Sequence, residues 1–219
     1  MRINQFVAQA TGLGRRKSDK LIINNQITVN GSLAHLGQQV TSQDIVKYSS
    51  TIIKLPIDQI TLLLNKPVGY VCSRDGQGSK TIYDLIPDDY KKLKPIGRLD
   101  KDSSGLIVIT NDGQLSQKLS HPSFNKHKVY EVRLNRKLTT DETHKLQSGQ
   151  IRLDKKPSIF KVRDLKSNLY QITISEGRNR QIRRTFDKLN ILVVDLNRIQ
   201  FGPYKLQDLK NQNWVKTNQ

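Results

Sequence analysis

Residues 95–113 read PIGRLDKDSSGLIVITNDG. Gly97 and Gly105 frame a short loop that runs into an unbroken apolar stretch, Gly105–Thr110. Such a stretch predicts a strand covered on both faces. The Asn111-Asp112-Gly113 turn behind it predicts the start of a helix, Gln114–Ser120. Arg98, Asp100 and Asp102 crowd into five positions of this loop. A carboxylate held in a rigid loop beside a strand can be aimed accurately. Read alone, the loop also suits an aspartate that forms a turn or pairs with Arg98.

The same pattern of short strands continues on either side. Strands are expected at Thr61–Leu64, Lys128–Leu134, Ile159–Leu165, Leu169–Ser175 and Leu192–Phe201. Helices are expected at Thr140–Ser148 and Asn179–Leu189. Strands outnumber helices and do not alternate with them one for one. This predicts an α+β fold: a mixed, mostly antiparallel sheet with helices packed on it over residues 60–219. On the last helix Ile182, Phe186 and Leu189 share one face, while Arg180, Arg183 and Arg184 gather on another.

Residues 1–48 read as a separate small unit. Ile3, Phe6, Val7 and Ala10 recur at helical spacing, and Gly12 and Gly14 end that segment. A second helix carries Arg15, Arg16, Lys17 and Lys20 at its start. There, exposed backbone N–H groups and positive charge together suit phosphate. Ile27–Val29 followed by Asn30-Gly31 predicts a strand and hairpin turn, and Val40–Val46 a further strand. Residues 49–59, with a Ser pair and Pro56, read as a connector with some extended structure.

Composition narrows the partner. Thirty-seven Lys and Arg against 19 Asp and Glu give a formal net charge of +18 in 219 residues, with a pI near 10.1. The excess is spread along the chain rather than gathered in a tail, and it points to a polyanion. A membrane is not indicated: no stretch approaches 18 apolar residues and no basic amphipathic helix stands out. The single cysteine, Cys72, excludes a disulfide framework and thiolate zinc sites. His35, His121, His127 and His144 lack metal-ligand spacing, so no metal is expected. The N-terminal residues hold no apolar signal core, so the cytoplasm is the expected location.

Two resemblances sharpen these expectations. GLGRRKSDKLI (12–22), QITVNG (26–31) and LGQQV (36–40) resemble the small αL RNA-binding domain of the ribosomal protein S-four type. Gly14 stands where such domains often carry serine, and glycine is an acceptable N-cap. In the larger unit, GRLDKDSSGL resembles the signature loop of ribosomal-RNA pseudouridine synthases of the RsuA-like branch. NKPVGYVCS (65–73), TIYDLIP (81–87), HKVYEV (127–132) and EGRNRQIRR (176–184) follow that family's order.

The resemblance implies a chemistry and roles. Asp100 would be the acting carboxylate, Arg183 its ion-pair partner, and Tyr130 the ring that stacks on the target base. The carboxylate would serve as nucleophile on the sugar or as base on the sugar ring. Arg98, Arg180 and Arg184 join Arg15, Arg16, Lys17 and Lys20 as expected RNA contacts; by charge alone, Lys66, Lys91, Lys92 and Lys94 suit further phosphate contacts or equally a solubilising surface. Isomerisation of uridine involves no net oxidation, so no cofactor is expected. The partner would be ribosomal RNA or a ribosomal subunit precursor, and the enzyme a monomer. A non-catalytic RNA-binding protein would lack Asp100, Tyr130 or Arg183, and all three are present. A methyltransferase would show a Gly-rich strand–loop–helix turn, and none is apparent.

Overall fold

The computed structural model describes residues 1–56, 58–121 and 126–217, so Ile57 of the expected connector lies outside the described residues. The chain divides into two compact units, Met1–Gln59 and Ile60–Gln219.

In the first unit, helix α1 (Ile3–Thr11) ends at Gly12 in the left-handed conformation. Helix α2 (Arg15–Ile23) starts from Gly14 as N-cap, and the Ser18 hydroxyl donates back to the Gly14 carbonyl. Strands β1 (Ile27–Val29) and β2 (Ser32–Leu33) pair across Asn30-Gly31. Both turn residues have positive φ, 52° and 88°. That geometry matches the right-handed twist of the flanking strands and favours Asn-Gly. Strands β3 (Val46–Tyr48) and β4 (Thr51–Ile52) complete a four-stranded sheet of order β2-β1-β3-β4.

The strand expected over Val40–Val46 is displaced. Asp44 accepts from the backbone and hydroxyl of Thr41 and from Asn30. These bonds fold 41–44 into a turn, and pairing with β1 starts only at Val46. Ile3, Phe6, Val7, Ile22, Ile27, Val40 and Val46 close a small core.

The second unit contains β5 (Thr61–Lys66), β6 (Lys94–Ile96), β7 (Ser104–Thr110), helix α3 (Gly113–Ser120), β8 (Lys128–Leu134) and helix α4 (Thr140–Ser148). There follow β9 (Arg152–Leu153), β10 (Lys156–Pro157), β11 (Lys161–Asp164), β12 (Leu169–Ile174), helix α5 (Gln181–Asp187), β13 (Val193–Phe201), β14 (Tyr204–Lys205) and β15 (Trp214–Thr217). Nine strands form one sheet along β11-β12-β8-β13-β7-β5-β15, with β14 on β13 and β6 on β7. Every pairing is antiparallel except β13 with β7. The expected mixed, mostly antiparallel α+β architecture is the one observed.

The sheet is covered on both faces, which explains the unbroken apolar stretch in β7. Ile107 and Ile109 join Leu62, Leu64, Val132, Ile172, Ile182 and Phe186 in the main core. Leu106 and Val108 join Leu63, Ile96, Leu119 and Phe201 in a second core. β13 pairs only with Ser104 and Gly105 at the start of β7, while β6 pairs with Val108–Thr110. β13 and β7 therefore part beyond Gly105, and β6 pairs with the far end of β7.

Helix α4 shows how local sequence sets an element. Thr139 and Glu142 form a capping box, and Arg136 grips the same carboxylate at 2.7 and 2.9 Å. The Arg136 guanidinium, with the Thr139 bonds, holds Glu142 well below its ordinary 4.5, at about 2. A depressed carboxylate stabilises the fold above its unfolded value, and that stabilisation is lost as pH falls through the folded value. Glu142→Gln keeps the box but removes the charge. It is expected to cost about 1 kcal/mol at pH 7 in urea unfolding. The difference from wild type should narrow as pH is lowered from 4.5 towards 2, and a gap that stays constant would contradict the assignment.

Candidate active site

The 97–103 loop is fastened at several points. Leu99 is buried, and its N–H donates to the Cys72 sulfur at 3.3 Å while the thiol donates to the Leu99 carbonyl at 3.4 Å. Burial pushes the Cys72 thiol up, which keeps it a neutral donor. The Ser103 N–H donates to the Asp100 carbonyl at 3.1 Å, and the Gly69 N–H to the Lys101 carbonyl at 2.8 Å. These bonds hold the backbone on both sides of Asp100.

The loop runs straight into a row of four residues across the sheet. Tyr130 on β8 faces Arg198 on β13, Arg198 faces Gly105 on β7, and Gly105 faces Lys66 on β5. Gly105 has φ +104°, and a Cβ there would lie 2.4 Å from the Arg198 carbonyl oxygen. Only glycine lets β13 come this close.

Lys66 and Arg198 are 0 % and 2 % exposed. The Lys66 amine donates to the carbonyls of Pro67 and Tyr70 at 2.9 and 2.8 Å. Burial pushes Lys66 down, while Cys72, Asp100 and Asp102 draw it back up. Arg198 donates through Nε to the Leu106 carbonyl at 2.7 Å, and its guanidinium lies over the Phe201 ring, 4.9 Å from the centroid. Tyr130 is 7 % exposed and packs in the main core.

Helix α5 delivers the arginines, though it is shorter than expected. It begins at Gln181, so Arg180 is its N-cap in the left-handed conformation and Leu189 lies beyond its end. Ile182 and Phe186 are buried as the periodicity implied. Thr185 is buried too, sharing a hydroxyl hydrogen bond with Ser158 at 2.8 Å.

The three arginines part company. Arg180 grips the Asp102 carboxylate with both Nη atoms, at 3.0 and 2.8 Å. Arg183 donates to the backbone carbonyls of Asp102 and Val193, each at 2.7 Å, and its Nε lies 3.2 Å from Asp102 Oδ2. Arg184 turns away to a two-point pair with Asp154 at the tip of the β9–β10 hairpin.

The expected Arg183–Asp100 ion pair is therefore not the one formed. Two backbone carbonyls engage both Nη atoms of Arg183, which leaves it against Asp102. The cation beside Asp100 is Arg180, with Nη1 3.8 Å from Oδ2. Among the described residues no hydrogen bond reaches the Asp100 carboxylate, which is about a third exposed.

The remaining expected contacts lie on the surface of their own units. Arg15, Arg16, Lys17 and Lys20 are exposed on α2, and Arg98 is exposed in the loop. Lys66 is the exception to its expected place on the surface: it is buried, with its amine held by the carbonyls of Pro67 and Tyr70. Arg198 carries no signal, being a lone arginine in a largely apolar strand, and the contact of Cys72 with Leu99 is not implied by its place in NKPVGYVCS. Asp102 was visible only as part of a charged cluster. Among the described residues, no group of three or more His, Cys, Asp or Glu could hold a metal ion.

Comparisons with known proteins point to one family. The family model described as RNA pseudouridylate synthase matches residues 60–188. The ribosomal large subunit pseudouridine synthase B of Bacillus subtilis is 33 % identical, over 95 % of this chain and 88 % of that one. The dual-specificity RNA pseudouridine synthase RluF of Escherichia coli is 31 % identical, over 98 % of this chain and 74 % of its own. A solved structure described as "Crystal structure of pseudouridylate synthase" superposes with a TM-score of 0.72 and 29 % identity. It covers 100 % of this chain and 96 % of that one.

Proposed function

The chain belongs to the RNA pseudouridylate synthase family, and from that premise we propose that it isomerises specific uridines of ribosomal RNA with Asp100 as the acting carboxylate. The observation that carries this reading is the state of Asp100. It sits on a loop fastened by Leu99, Lys101 and Ser103, its carboxylate is open, and a guanidinium stands 3.8 Å away. A carboxylate carried on a fastened backbone with its oxygens unoccupied is what attack on a ribose requires.

The reaction breaks the bond from uracil N1 to ribose C1′, turns the base, and joins C5 to the same C1′. The C5 proton leaves and N1 gains one. Asp100 serves as nucleophile at C1′ or as base on the sugar ring, and both routes start from the ionised carboxylate. Tyr130, in the adjoining row, supplies a ring against the detached base and keeps water from releasing it. Arg183 ties the Asp102 backbone to the start of β13 and so holds the loop in place. A uridine inside an RNA helix has to be extruded first, at a cost of a few kcal/mol. Contacts from Arg98, Arg180 and Arg184 to the RNA backbone offset that cost.

The first unit serves as the RNA-binding domain of αL type. Its Arg15, Arg16, Lys17 and Lys20 meet phosphates from the exposed start of α2. The name of the Bacillus relative, a ribosomal large subunit enzyme, supports a ribosomal substrate; on this reading the protein meets it in the cytoplasm as a monomer. No described helix is long and apolar enough to cross a membrane.

The test is direct. Purified protein is incubated with unmodified ribosomal RNA transcripts and with ribosomal subunits lacking the modification. Pseudouridines are mapped by carbodiimide-dependent primer-extension stops. New stops at one or a few uridines are expected. Their absence on every ribosomal RNA and subunit tested would overturn the reading.

A further inference from the structure

Asp102 holds more of the site's positive charge than Asp100 does. Arg180 binds it with both Nη atoms, and Arg183 approaches the same carboxylate while donating to its backbone carbonyl. Stability does not explain this arrangement. The Arg180 and Asp102 side chains are 41 % and 45 % exposed, and a pair so open to solvent contributes about 0–1 kcal/mol.

Geometry suggests another purpose. The Nη1 atom that donates to Asp102 Oδ1 at 3.0 Å is also the atom 3.8 Å from Asp100 Oδ2. A two-point grip on Asp102 points both Nη atoms of Arg180 at that carboxylate and holds Nη1 3.8 Å from Asp100, beyond hydrogen-bonding distance. Charge is thus presented to Asp100 without occupying the lone pairs that a sugar would need.

We propose that Asp102 is a positioning residue for the isomerisation: it sets Arg180 beside Asp100, close enough to act through its charge and too far to engage it by hydrogen bonding. This inference rests on the function proposed above and adds a second carboxylate to it. Asp102 acts through Arg180 and need not touch the base or the ribose. The left-handed backbone of Arg180 at the head of α5 fixes where the guanidinium starts, and Asp102 fixes where it ends.

The experiment is a double-mutant cycle on the full chain, reading the single-turnover rate of pseudouridine formation and RNA affinity by filter binding. Asp102→Asn and Arg180→Gln are each expected to slow the reaction about 100-fold, with the affinity of Asp102→Asn, which contacts no RNA, within about threefold of wild type. The double variant should be no slower than the slower single, because both substitutions remove one interaction. Asp102→Glu, which keeps the charge, should recover part of the rate. Losses that multiply in the double variant, or wild-type rates in Asp102→Asn, would overturn the proposal. Should Asp102→Asn not fold, Arg180→Gln decides alone, and a wild-type rate there is equally fatal. If wild-type protein forms no pseudouridine, the proposed function itself falls; if it does and the variants match it, only this inference falls.

Discussion

Asp100→Asn is expected to lower the rate of pseudouridine formation on the order of 10⁴-fold while leaving RNA affinity within a few-fold of wild type. Asparagine matches aspartate in size. The bonds that shape the loop come from the backbones of Asp100, Lys101 and Ser103 and from Leu99 with Cys72, so the loop keeps its form. What disappears is the negative charge. A neutral amide neither attacks a sugar carbon nor takes a proton from the ring. Transcripts labelled with tritium at uracil C5 give the measurement, because the label passes to water when C5 joins C1′. Wild type should release it in a single turnover and Asp100→Asn should not. A variant within tenfold of wild type would remove Asp100 from the centre of the reaction.

Gly105→Ala is expected to destabilise the second unit by about 3–5 kcal/mol. The new Cβ would lie 2.4 Å from both the Arg198 carbonyl oxygen and Asn197 Oδ1, and 2.6 Å from the Arg198 nitrogen. Two of those three atoms are backbone of β13 and cannot rotate away. The φ of +104° adds strain for any residue with a side chain. Relief would require β13 to separate from β7 at the only parallel pairing in the described sheet. Urea unfolding followed by far-ultraviolet circular dichroism measures the loss. A shift below 1 kcal/mol would mean that the strands part easily, and that the row from Tyr130 to Lys66 is looser than described.

Much of this architecture was legible beforehand, for identifiable reasons. Each of the nine strands and helices expected after residue 59 exists, and for most of them apolar spacing reports the burial that decides them; the exposed edge strand β11 is held by its pairing with β12 instead. Asn30-Gly31 was readable because its turn type demands positive φ at both positions. The strand over Val40–Val46 misled because Thr41 and Asp44 bond to one another, which apolar spacing does not reveal. The short strands β6 and β15 were missed. Pro95 sits inside the first, and the second is only four residues long.

The site was legible as a set of residue types but not as a set of pairs. Asp100, Tyr130 and Arg183 stood out through motifs. Which guanidinium meets which carboxylate depends on a left-handed residue at Arg180 and on backbone carbonyls from distant strands, and neither leaves a trace in residue order. Lys66 and Arg198 are clearer cases still. Both are charged residues that solvation arguments send to the surface, yet the carbonyls of Pro67 and Tyr70 after β5 and of Leu106 on β7 hold them inside.

The pairing of β15 with β5 bears on biogenesis. Thr61 and Thr217 are partners in the ladder, as are Leu64 and Trp214, so the first strand of this unit waits for one made some 150 residues later. A ribosome extending the nascent polypeptide has to deliver nearly the whole unit before that edge can be sealed. Until then Leu62–Leu64 form part of an open, apolar border that other emerging chains can join. Chaperone dependence during synthesis, and aggregation of chains released before Trp214, follow from this late closure.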